Sequence, residues 1–192
     1  ICRKADDYIH GFPRAQAAWQ KERPVAPSPP PSSSMNPFIV GTHSQLEAHL
    51  AVLDTQAVLD WLYFSDPVTL HWEAWRQAGH WHWVAGAAMR DELAHVLARG
   101  RLPAGQGLAT PALLEAFDAR SRVLTAPAPT LANPLRCSDP DDQKFIDFAV
   151  AHRVAWLVSR DRAVLKLKRR AQAAHGVNIL APCDWVPLSV LA

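Results

Sequence analysis

LAVLDTQAVLDWLY, Leu50–Tyr63, is a short apolar run stopped by an aspartate and continued by apolar residues at helical spacing. An apolar run bounded by a polar residue suits a buried strand, whereas Val58, Leu59, Leu62 and Tyr63 recur as one face of a helix. The stretch predicts a strand followed at once by a helix, with Asp54 at the junction.

The alternation continues outward from there. Val68–Gln77 predicts a second helix, HWHWV (His80–Val84) alternates polar and aromatic residues as a half-buried strand does, and Ala87–Arg99 carries Met89, Leu93, Val96 and Leu97 at helical spacing. Thr110 with Pro111 starts a further helix, backed by Leu113, Leu114 and Phe117. After the Pro-rich TAPAPTLANP comes CSDPDDQKFIDFA (Cys137–Ala149), in which Ser138 or Asp139 suits an N-cap, Pro140 the first helical position, and Phe145, Ile146 and Ala149 a buried side. VAWLV (Val154–Val158) reads as a buried strand, followed by a basic helix closed by Gly176 and by VNIL as a last strand. Strands alternating with helices of this length predict an α/β fold, a three-layer α/β/α sandwich around a mostly parallel sheet.

Residues 1 to 36 stand apart. They end in a Pro/Ser run that cannot build a core, and Met35 sits where globular patterning begins, so 1–36 reads as a disordered or extraneous tail and 37–192 as the globular domain. The 192-residue chain is 49% hydrophobic and 20% charged, ordinary for one core-forming domain. Cys2, Cys137 and Cys183 are odd in number, far apart and outside any CxxC spacing, which argues against a disulfide framework or zinc knuckle. With no membrane-spanning run and no secretory pattern, a cytoplasmic location is expected. A net charge of +2 and a pI near 8.6 make no case for nucleic acid by themselves. GxSxG, Walker-type and GxGxxG motifs are missing from the sequence, which removes hydrolase-elbow, P-loop and dinucleotide readings.

The acids are more informative. Ligand sites of open α/β sheets lie beyond the carboxyl ends of the strands, where the pattern puts Asp54 and Asp161. Each is also an ordinary turn or N-cap residue. At about 100° per residue, Glu92 falls on the shoulder of the apolar face made by Met89, Leu93, Val96 and Leu97, and Asp142 falls between Phe145 and Ile146. A carboxylate near an apolar face needs a partner, and no Lys or Arg stands at a matching position of the same helices. A cation is then the expected partner, and all-oxygen donors favour Mg²⁺ or Mn²⁺. The segment from Arg153 to Arg170 is basic; Arg160, Arg162 and Lys166 would stand at the mouth of the acidic site, where they could steer phosphate, or form only a solvated face. Trp61, Trp72 and Trp75 are expected in the core or at a protein contact.

In order and approximate spacing, VLDTQAVLDWL, RDELAHVLAR, CSDPDDQKFIDFA, LVSRDRAVLKL and GVNILAP resemble PIN-domain ribonucleases, and most of all the branch of toxin components of toxin-antitoxin systems. The resemblance spans roughly Ala51 to Trp185. It implies an α/β/α sandwich, a metal-dependent endoribonuclease acting on RNA, and inhibition by a cognate antitoxin protein; whether a homodimer forms stays open. By position, Asp54, Glu92, Asp142 and Asp161 match the family's four metal-site acids, with Asp139 as a further candidate. The chain departs from the family in having Gln56 where Asn is common, Ser159 where Thr is usual, and Gly86, Ala87 and Ala88 where a polar residue is usual, which bears on how the acids are positioned.

Overall fold

The computed structural model describes residues 49–100, 102, 109–125, 135–187 and 190. The expected tail over 1–36 lies outside the described residues. Five strands, β1 (Leu50–Leu53), β2 (His82–Ala85), β3 (Ser121–Val123), β4 (Trp156–Val158) and β5 (Asn178–Leu180), form one sheet in the order β3-β2-β1-β4-β5. Every neighbouring pair is parallel.

The helices between them are α1 (Thr55–Leu62), α2 (Trp72–Gln77), α3 (Ala87–Ala98), α4 (Thr110–Arg120), α5 (Gln143–Ala151), α6 (Arg162–Leu165) and α7 (Lys168–His175). The central strands are buried because both faces of the sheet are covered; α5 rests on β1 and β4, and α3 packs against α1, α4 and α5. This is the expected α/β/α sandwich. Among the described residues no helix is long and apolar enough to cross a membrane.

Local differences from the sequence pattern have physical causes. The helix expected over Val68–Gln77 is broken into a 3-10 turn, Pro67–Thr69, and α2. Asp66 caps that turn by accepting from the N–H of Val68 at 2.9 Å, and its carbonyl accepts from the Thr69 hydroxyl. The single basic helix is two, α6 and α7, jointed at Lys166 and the buried Leu167. Gly176 ends α7 with φ of 71°, the left-handed conformation expected of it. Strand β3 has no signal in the sequence, since SRV is an edge strand paired on one side and half exposed.

At one end of the sheet Trp185 meets Trp72 and Trp81 edge-on, each with ring centres 4.8 Å apart, and Trp61 packs against Trp72, Trp81 and Trp83. Trp61 and Trp72 are core residues and offer nothing to a partner; Trp75 is partly exposed.

Candidate active site

The strand order reverses between β1 and β4, and both run in the same direction, with Leu53 beside Val158. Chain leaving β1 heads toward β2, whereas β4 belongs to the other half, so a crevice opens beyond their carboxyl ends. Asp54 is the first residue past β1, and Ser159, Arg160 and Asp161 follow β4. Residues 106 positions apart in sequence thereby touch: the N–H of Arg160 donates to Asp54 Oδ2 at 3.2 Å.

Asp54 caps α1, accepting from the N–H of Ala57 at 2.6 Å through Oδ1. It is only 5% exposed. Burial pushes its carboxyl up to about 7, against the opposing pull of hydrogen bonds from Ser159, Ala57 and Arg160. Asp161 caps α6 in the same manner, taking the N–H of Ala163 at 2.5 Å, while its own N–H donates to Ser159 Oγ at 2.9 Å. Ser159, where the resembled family usually has Thr, is fully buried and serves both acids.

Glu92 reaches the crevice from α3. Thr55 donates its hydroxyl to Glu92 Oε1 at 2.5 Å, tying α3 to the start of α1. Lys144 on α5 pairs with Glu92 Oε2. The expectation that Glu92 has no basic partner is thus corrected. Spacing within one helix shows only that helix's neighbours, and Lys144 arrives from another helix packed against it.

Asp142 is placed differently from the helix reading. Residues 138–142 form turns, and α5 begins at Gln143. Asp139 Oδ1 accepts from the N–H of Asp141 at 2.9 Å, a local turn that delays the helix. The Gln143 side chain ties the start of α5 back to the preceding segment, accepting from the N–H of Cys137 at 2.8 Å and donating to the carbonyl of Leu135 at 3.0 Å, and among the described residues no side chain caps α5. Asp142 occupies the N-cap position without capping, and among the described residues its carboxylate accepts no hydrogen bond. Burial first, then repulsion from Asp161, Asp139 and Glu92, raises its carboxyl to about 6, with Lys144 pulling the other way. Asp139 itself is exposed and engaged in its turn.

Asp54, Glu92, Asp142 and Asp161 therefore line one cleft of about 320 Å³, with Thr55, Gln56 and Phe145 among the other walls. Asp139 is not among the lining residues. The donor chemistry fits a hard divalent cation: the polar lining is dominated by carboxylates, one of them accepting no hydrogen bond among the described residues and two held above the ordinary carboxylate range. Among the described residues, however, no three His, Cys, Asp or Glu side chains converge closely enough to grip an ion as they stand.

Of the basic residues expected at the mouth, Arg162 and Lys166 are exposed. Arg160 is not a free phosphate contact. Its guanidinium is buried, bound to Asp60, and bound to Asp66 at 2.9 Å. Asp60 is completely buried; desolvation raises its carboxyl despite the guanidinium and an amide hydrogen bond from Gln56 at 3.2 Å. The sequence reading missed this network and missed Thr55 and Lys144. A helical Asp60 beside Trp61 and Leu62 on a buried stretch was the available signal.

Gly86, at the N-cap of α3, has its own reason. A Cβ there would meet the Phe148 ring at 3.0 and 3.2 Å, so the absence of a side chain lets α5 approach the start of the Glu92 helix.

Among curated proteins none matches the chain at a significant level. A family model described as PIN domain matches residues 51–163, more than half of the chain and a span holding all four cleft acids. That match agrees with the single parallel sheet covered by helices. The chain belongs to the PIN domain family, whose fold is of the nuclease type.

Proposed function

We propose that the protein is an endoribonuclease dependent on Mg²⁺ or Mn²⁺, acting as the toxin of a toxin-antitoxin pair in the cytoplasm. The observation that carries this reading is the convergence of four carboxylates from four separate segments on one cleft, with too little positive charge to balance them. Asp54, Glu92, Asp142 and Asp161 would hold the cation. When bound, such an ion supplies a water of lowered pKa and neutralises charge on a phosphodiester.

The chain's own groups do the positioning. Helix termini and backbone N–H groups hold Asp54 and Asp161, and Thr55 orients Glu92. Exposed Arg162 and Lys166 on the segment after Asp161 would draw the RNA backbone toward the cleft. The antitoxin would be a protein that covers the cleft.

A second reading, a PIN-like binding module without useful catalysis, is favoured by Lys144 on Glu92 and by the lack of three converged ligands among the described residues. Mixed RNA incubated with Mn²⁺, with and without chelator, beside Asp54→Asn and Asp142→Asn, separates the two. Cleavage abolished by chelator and by either substitution supports the nuclease. Intact RNA from a folded protein supports the binding module, and a parallel DNA substrate reports whether the nuclease is RNA-directed.

A further inference from the structure

Lys144 leaves the first turn of α5 and crosses to α3, where its ammonium pairs with Glu92 Oε2 and also donates to the carbonyl of Asp141. Its Nζ lies over the Phe145 ring, 5.1 Å from the ring centre. Among the described residues no other Lys or Arg side chain is paired with Asp54, Glu92, Asp142 or Asp161. Arg160, which lines the cleft, is committed to Asp60 and Asp66.

These facts bear on how a cation enters. Glu92 has two oxygens, one taken by Thr55 and the other by Lys144. The Lys144 side chain is 30% exposed, so water can take over its hydrogen bonds if it swings away. Ion pairs this exposed are weak, and a lysine's flexible stem makes the exchange easier than it would be for a buried arginine.

We propose that Lys144 is a built-in counter-ion of the acid cluster, which competes with the divalent cation for Glu92 and so sets the metal concentration at which the cleft fills. The proposal rests on the metal-site reading above. In the metal-free protein the ammonium offsets part of the repulsion among the acids; when metal enters, it releases Glu92.

The test is Mn²⁺ binding to the full chain by calorimetry, without nucleic acid and at fixed pH and ionic strength. Lys144→Met, which keeps the apolar stem, is expected to bind Mn²⁺ roughly tenfold more tightly, as removal of a like charge a few ångströms from the site requires. Lys144→Arg keeps the charge and is expected within about twofold of the unaltered protein. In a Mg²⁺ titration followed by NMR, the Lys144 Nζ signal is expected to move with the same midpoint as metal binding. Equal affinities in the unaltered and Lys144→Met proteins, or a Lys144 signal that stays put while metal binds, overturn the counter-ion and leave the metal site standing. No Mn²⁺ binding in any of the three folded proteins overturns the metal site and the counter-ion together.

Discussion

Arg160 holds Asp54 with its backbone and Asp60 with its side chain: its N–H donates to Asp54 Oδ2 at 3.2 Å, while its guanidinium is bound to the fully buried Asp60 carboxylate. One residue of the turn after β4 thereby fixes both the first residue past β1 and the inner side of α1. Asp66, at the other side of the same guanidinium, adds the turn that follows α1.

Removing that guanidinium leaves two buried carboxylates without their cation. Arg160→Met is expected to lose about 3–5 kcal/mol of stability, the usual cost of breaking a buried pair from one side. Arg160→Lys should recover only part, because an ammonium cannot bridge both acids as the planar fork does. Urea unfolding checks this; a loss below about 1 kcal/mol would show that the network does not hold the turn.

The raised carboxyl of Asp54 makes a prediction about pH. The unfolded aspartate releases its proton near the ordinary value of 3.8, but the folded one keeps it to about 7, so between these values the folded state binds more protons. Stability contributed by this group is therefore present at low pH and falls as pH rises toward 7, by up to about 1.4 kcal/mol per pH unit. Thermal unfolding in chelator, compared with Asp54→Asn, isolates the effect, because other acids titrate alike in both proteins. Parallel Tm-versus-pH curves would mean that Asp54 is not held protonated.

Asp142 is expected to trade stability against metal. Its carboxylate faces Asp161, Asp139 and Glu92 and accepts no hydrogen bond among the described residues. Asp142→Asn should raise the metal-free stability at pH 8 by about 1 kcal/mol or less, since solvent screens a half-exposed group. The same substitution should remove most of the Tm increase that Mn²⁺ produces in the unaltered protein. A variant destabilised without metal would contradict the uncompensated charge.

Gly86→Ala probes the contact between α3 and α5. The backbone there has φ of −101°, so alanine fits the conformation, but its Cβ meets the Phe148 ring at 3.0 Å. Overpacking of this kind costs about 1–3 kcal/mol. Chemical unfolding is the measurement, and an unchanged midpoint would show that the ring moves aside freely.

The fold was legible because its signals are local. LAVLD followed by a helical pattern, VAWLV before a basic helix, and Gly176 at a helix end each express the preference of a few adjacent residues, and the strands are buried enough to read as apolar runs. Asp54 and Asp161 were legible for a related reason: Asp54 follows β1 directly and Asp161 follows β4 after two residues, and residues beyond the carboxyl ends of parallel strands are brought to one edge by the sheet itself.

Chain order alone could not decide how the charges pair. Lys144 meets Glu92, Thr55 meets the same carboxylate from the other side, and Arg160 turns inward to Asp60 and Asp66 instead of outward to phosphate. Each of these pairs joins different segments, with partners 37 to 100 positions apart in sequence. The start of α5 was misplaced by three residues because a Gln143 side chain, bound back to Leu135 and Cys137, displaced the capping that local propensity favours. By itself, then, the sequence determined the order of four of the five strands and of the main helices, and the acids that follow β1 and β4, since those depend on short-range backbone preference and burial. Which acid keeps a cation and which is buried was decided only by the packing of α1, α3 and α5 around β1 and β4, because charge pairing depends on distance in space.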